Sequence, residues 1–105
     1  MPRAKRDPKK QREASARYVA RHPNKVRDNL RRYRYGTDGT ELWTGKCHAC
    51  DSALEQYDRH THLDHCHTTG KVRGWLCRTC NNGIGMLNDN PQRLELAAAY
   101  LRRYA

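Results

Sequence analysis

A chain of 105 residues with no Phe, 36% apolar content and a mean hydropathy of −1.14 allows one domain at most. Its core must be small, of the kind that needs a metal, disulfides or a partner to fold. The net charge of +10 lies entirely in residues 1–36, where thirteen Lys and Arg face three acids, while the remainder balances eight against eight. The basic N-terminus lacks the apolar stretch of a secretory signal, and no run approaches membrane-spanning length. A reducing, cytoplasmic setting is therefore expected, where cysteines ligate metal rather than pair.

In chain order, residues 1–10, with Pro2 and Pro8, read as disordered. Lys9 to Ala20 is helix-compatible and Pro23 interrupts it. Asn24 to Tyr35 predicts a second helix with Val26, Leu30 and Tyr33 on one stripe. Gly36-Thr37-Asp38-Gly39 is a turn and the best boundary, giving a basic, partly helical arm over residues 1–36 and a module over 37–105. Lys and Arg crowded into an arm and interleaved with Tyr18, Tyr33 and Tyr35 are the footprint of phosphate-backbone binding. Arg17, Arg21, Lys25, Arg27, Arg31, Arg32 and Arg34 are the candidate contacts. The plainer reading is a solvated tail that only aids solubility.

Within the module, Cys47-x-x-Cys50 and Cys77-x-x-Cys80 each deliver two thiolates from one tight turn, which is what a tetrahedral Zn²⁺ site needs. That assignment leaves Cys66 free. His60 to His67 has a strand-like centre at Leu63, Thr68-Thr69-Gly70-Lys71 reverses the chain, and Val72 to Leu76 returns as a second strand with Trp75 in the core. Asn81 onward begins a short helix ending before Asn88-Asp89, and Asn81 itself is a candidate N-cap. Asn90 caps a last helix with Pro91 at its first position. Leu94, Ala97 or Ala98, Leu101 and Tyr104 form a stripe expected to pack on the module.

The run His62-Leu63-Asp64-His65-Cys66-His67 between the two hooks has no task in a closed zinc site. It is a candidate for separate, metal-dependent hydrolytic chemistry. A regular strand places His65 and His67 on one face and Asp64 on the other. For Asp64 and His65 to serve one phosphate, the backbone must bend near them.

Leu63-Asp64-His65-Cys66-His67, the run from Thr69 to Cys77-x-x-Cys80, Cys47-x-x-Cys50 and Asn81 together resemble the recombination endonuclease VII family, within the HNH or ββα-metal nucleases, over about residues 42–88. The resemblance implies an α+β fold: a small zinc-stapled ββα-metal (His-Me finger) module flanked by helices. It implies a Mg²⁺-dependent DNA endonuclease, with Mn²⁺ as the alternative ion, acting on duplex or branched DNA inside a bacterial or phage-infected cell. Asp64 and Asn81 would hold the catalytic metal, His65 would be the general base, and His67 would lie near the scissile phosphate. Zinc at Cys47, Cys50, Cys77 and Cys80 would be structural. Arg73 is a candidate phosphate contact, against the plainer reading of an exposed strand arginine.

Two departures stand out. Cys66 occupies a position that is often acidic in the family, and Asn82-Gly83-Ile84-Gly85 lacks the carboxylate that junction-resolving members carry one turn after the Asn. Symmetric cutting of both strands needs two active sites, so a homodimer would have to form through the terminal helices. The competing reading from a different class is a non-catalytic zinc module that binds nucleic acid.

Overall fold

The protein is described by a computed structural model over residues 7–105, and it divides into two compact units, 1–38 and 39–105. The first consists of α1 (Pro8–Arg21) and α2 (Pro23–Tyr35). Asp7 caps α1, its carboxylate accepting from the Lys9 N–H at 2.9 Å, and a proline occupies the first turn of each helix. The disorder expected for residues 1–10 falls partly outside the described residues; Pro8, Lys9 and Lys10 are helical. The Val26, Leu30 and Tyr33 stripe does not pack as expected: Val26 is half-buried, but Leu30 is 47% and Tyr33 90% exposed. Two helices this rich in Lys and Arg offer too little apolar surface to cover them.

The second unit is α+β. A 3₁₀ turn (Thr40–Leu42) precedes a two-stranded antiparallel ribbon of β1 (Thr61–His65) and β2 (Val72–Cys77), then α3 (Arg78–Met86) and α4 (Pro91–Arg103). Strand alternation divides the ribbon's side chains between two faces. On one, Leu63 pairs with Trp75, and Trp43 meets Trp75 edge-on with ring centroids 5.0 Å apart. Trp75 is fully buried and donates its indole N–H to the Gly39 carbonyl at 2.9 Å. Gly39 must be glycine: its φ is +77°, and a Cβ there would lie 2.6 Å from Leu63 Cδ1. Together with Leu76 and Cys47, Leu63 and Trp75 are the buried apolar residues among those described. So small a core does not fold on burial alone.

The sulfur cluster makes up the deficit. Cys47, Cys50, Cys77 and Cys80 bring their Sγ atoms within 4.8 Å of one another, and Cys50 Sγ lies 3.8 Å from Cys77 Sγ. A tetrahedron with Zn–S bonds of about 2.3 Å has edges of about 3.8 Å, so the set fits Zn²⁺. Burial pushes the Cys47 thiol up, but backbone N–H groups of Cys50, Cys77 and Ala49 outweigh it and bring it down to about 6. Burial and the neighbouring sulfurs push Cys80 up instead, because four thiolates this close repel one another without a cation. The Cys47–Cys50 knuckle also docks on β2: the His48 N–H donates to the Trp75 carbonyl at 2.9 Å, and the Trp75 N–H donates to His48 Nδ1 at 2.7 Å. Gly74 lets the knuckle approach, since a Cβ there would stand 2.7 Å from that ring nitrogen.

Two expectations for the helices need correction. α3 starts at Arg78 rather than Asn81, because the Cys77 sulfur accepts from the Cys80 N–H and caps the helix three residues earlier. Asn81 therefore lies inside α3. Asn90 does cap α4, accepting from the Arg93 N–H at 3.2 Å, yet the α4 stripe packs only at its start. Leu94 and Ala98 are half-buried, whereas Leu101 is 67% and Tyr104 77% exposed. The module's core ends before the last turns of the helix.

Removing bound metal with a strong chelator, or Cys77→Ser, is expected to unfold the second unit, seen as loss of the Trp near-ultraviolet signal. Readdition of Zn²⁺ restores the chelated wild type, since structural zinc contributes about 10–16 kcal/mol in comparable small sites. Gly39→Ala is expected to lower the urea unfolding free energy by about 2 kcal/mol or more, through overpacking against Leu63 and a strained φ.

Candidate active site

The ribbon is irregular at the Asp64–His65 step. β1 and β2 pair as Leu63 with Trp75 and Asp64 with Gly74, but His65 pairs with Val72. Arg73 is the extra residue, a β-bulge directly across from the Asp64–His65 step. A bulge bends its own strand, here β2, and increases the local twist of the ribbon at the Asp64–His65 step.

The bulged arginine organises a polar chain across the ribbon. Arg73 Nε donates to Asp64 Oδ2 at 2.7 Å and Nη2 to Oδ1 at 3.0 Å, a two-pronged grip on a carboxylate only 12% accessible. The same Nη2 lies 3.3 Å from Asp89 Oδ2. Asp89 in turn takes His67 Nδ1 at 2.6 Å, and the His67 ring meets the half-buried His65 ring edge-on, centroids 4.9 Å apart. Asp64, Arg73, Asp89, His67 and His65 thus form one continuous series. The hydrogen bond from His67 holds Asp89 below the usual carboxylate range, and Arg73 adds to that. The bond to Asp64 pushes the Arg73 guanidinium further up.

Asn81 approaches from α3. It shares a groove of about 420 Å³ with His67, Asn82, Gly85 and Met86. An adjoining cleft of about 430 Å³ is lined by Cys66, His67, Thr68, Arg73, Gly85, Asn88 and Asp89. Asp64 lies in a neighbouring hollow with Arg73 and Asp89. His67 therefore stands where the Asn81 groove meets the cleft of the carboxylates. Cys66 sits between the two imidazole positions. Its thiol is brought down to about 7, first by the Thr69 hydroxyl and then by the Thr69 and Thr68 N–H groups.

The oxygen donors of Asp64 and Asn81 suit a hard divalent cation. Asp64 already draws a positive group, because the Arg73 guanidinium spans both of its oxygens. The arm residues lie in the first unit. Arg17 and Arg21 project from α1, and Lys25, Arg27, Arg31, Arg32 and Arg34 from α2. Arg17, Arg21, Lys25 and Arg34 are exposed, whereas Arg31 pairs with Asp28 at 3.5 Å and Arg32 with Asp38 at 2.6 Å.

Sequence reasoning missed Asp89. It sits in the turn between α3 and α4, within an Asn88-Asp89-Asn90 run that reads as a plain helix stop.

Comparison with known proteins identifies relatives in sequence and fold. The family model described as recombination endonuclease VII covers residues 25–103. The Gene 59 protein of Mycobacterium phage D29 is 38% identical over 76 residues, covering 66% of this chain and 46% of that protein. The Gene 59 protein of Mycobacterium phage L5 is 36% identical over 74 residues, covering 64% and 44%. The crystal structure of the ββα-Me type II restriction endonuclease Hpy99I is similar at a TM-score of 0.51 and 34% identity, over 64% of this chain and 39% of that one. The chain spans less than half the length of these relatives. With the family model extending over most of its residues, including the hairpin, the four cysteines and Asn81, the chain belongs to the recombination endonuclease VII family.

Proposed function

We propose that this chain is a divalent-metal-dependent DNA endonuclease, with Mg²⁺ as the expected ion, working in the interior of a phage-infected cell. The observation that carries the reading is the Arg73 bulge. It lies directly across from the Asp64–His65 step, where the chemistry would need the two residues to cooperate, in a chain of the endonuclease VII family. Its likeness to a ββα-Me restriction endonuclease supports the same reading, as do relatives from phages.

His65 takes the proton of the attacking water, whose oxygen forms a bond to phosphorus as the bond to the 3′ oxygen breaks. His67, beside it, contacts the phosphate and orients it. Asp64 and Asn81 would hold the divalent ion, which would supply Lewis-acid charge neutralisation when bound. Asp64 becomes available for this as Arg73 shifts toward Asp89, with which it already shares a bond. The structural ion on Cys47, Cys50, Cys77 and Cys80 takes no part in the chemistry. The basic arm, through Arg17, Arg21, Lys25, Arg27, Arg31, Arg32 and Arg34, grips the sugar–phosphate backbone.

One observation favours the reading of a non-catalytic nucleic-acid-binding module. Arg73 neutralises Asp64 from within the chain, as expected where no second metal is needed. The two readings diverge in a cleavage assay on branched, nicked and linear DNA with Mg²⁺ or EDTA. The nuclease cuts with Mg²⁺ alone, Asp64→Ala abolishes cutting, and His65→Ala lowers it by about 10²–10⁴-fold, all with DNA binding retained. Absence of cutting by the wild type on every substrate would leave the binding module standing. Deleting residues 1–36 is expected to weaken DNA affinity and flatten its salt dependence, by about 0.9 in log–log slope for each phosphate the arm had neutralised. An unchanged slope would remove the arm from the interface.

A further inference from the structure

We propose that Asp89 is a positioning residue, reaching from the α3–α4 turn to clamp the His67 ring by Nδ1 so that Nε2 alone is left to meet the substrate phosphate. The inference rests on reading the bulged hairpin as a nuclease site. It adds to that site a residue outside the Asp64-to-Asn81 run.

The contact is short and well placed. Asp89 Oδ2 lies 2.6 Å from His67 Nδ1. The Asp89 side chain is 19% accessible and the His67 side chain 65%, so a sheltered carboxylate holds an exposed ring. An ionised carboxylate only accepts hydrogen bonds, so the shared hydrogen belongs to Nδ1. That fixes the tautomer and orientation of the imidazole. The His67 residue lines both the Asn81 groove and the cleft that Arg73 borders.

The backbone that delivers Asp89 is committed to this placement. Asn88 and Asp89 have φ of +58° and +54°, a left-handed pair built from non-glycine residues. The Asp89 N–H is tied to the Ile84 carbonyl at 3.0 Å, and Asn90 at once caps α4. Asp and Asn are the side-chain-bearing residues that adopt this conformation most readily. The same carboxylate also takes Arg73 at 3.3 Å. It therefore gives the guanidinium a second anchor when Asp64 turns to another cation.

Asp89→Asn tests the proposal with little backbone disturbance, because Asn tolerates the same φ. With the Mg²⁺-loaded full chain and a cleavable DNA, kcat is expected to fall about 10–100-fold, in the range seen when an imidazole's outer partner is removed. KM, zinc content and the melting midpoint should stay close to wild type. In a His67→Ala background the same change should add nothing, since the carboxylate acts through the ring. Histidine ¹⁵N spectra of the wild type should show His67 protonated at Nδ1, and Asp89→Asn should shift that nitrogen. Wild-type cleavage by Asp89→Asn, losses that multiply with His67→Ala, or a wild-type His67 Nδ1 without hydrogen would each overturn the proposal. The spectrum decides even where the variant fails to fold. Failure of the underlying site reading looks different: Asp64→Ala and His65→Ala would then cut as the wild type does.

Discussion

Everything in the second unit depends on four sulfur atoms held within one ion's reach. The buried apolar set of Cys47, Leu63, Trp75 and Leu76 cannot offset the conformational entropy of the module's ordered residues. The thiolate cluster ties the 47–50 knuckle to the junction of β2 and α3, the point from which α3 carries Asn81 and the following turn carries Asp89. The knuckle docks on β2 through the His48 N–H and ring and the Trp75 backbone. An ion on these sulfurs would set the distance between the hairpin and the helix, and the candidate site lies across that junction.

Strand alternation separates Asp64 from His65. One inserted residue in β2 lies across from their step, and it is an arginine whose side chain grips the Asp64 carboxylate. Positive charge at the bulge and negative charge at Asp64 and Asp89 hold the bend in place.

Much of this was legible in the sequence because the signals are local. The Cys-x-x-Cys hooks, the Gly70 reversal and the Asn90-Pro91 cap depend on neighbours a few residues away, and each forms as expected. What the sequence hid was long-range. Register decides that Arg73 is the bulged residue, and no property of Arg73 alone announces it. Asp89 acts on His67 from 22 positions away, through a turn whose composition only says that a helix stops. The start of α3 escapes a reading by residue type because a thiol serves as its cap, a role usually given to Ser, Thr, Asp or Asn. The α4 stripe resembles core because periodicity records amphipathicity and not whether a partner is present.

Cys77 ends β2, accepts the Cys80 N–H that opens α3, and offers its sulfur to the cluster. Strand end, helix start and sulfur cluster therefore share a single residue. Amide protection in β2 and the first turn of α3 should vanish together as one cooperative block, without the graded fraying common at element ends. An oxidant that attacked this one sulfur would disable scaffold and chemistry in the same event.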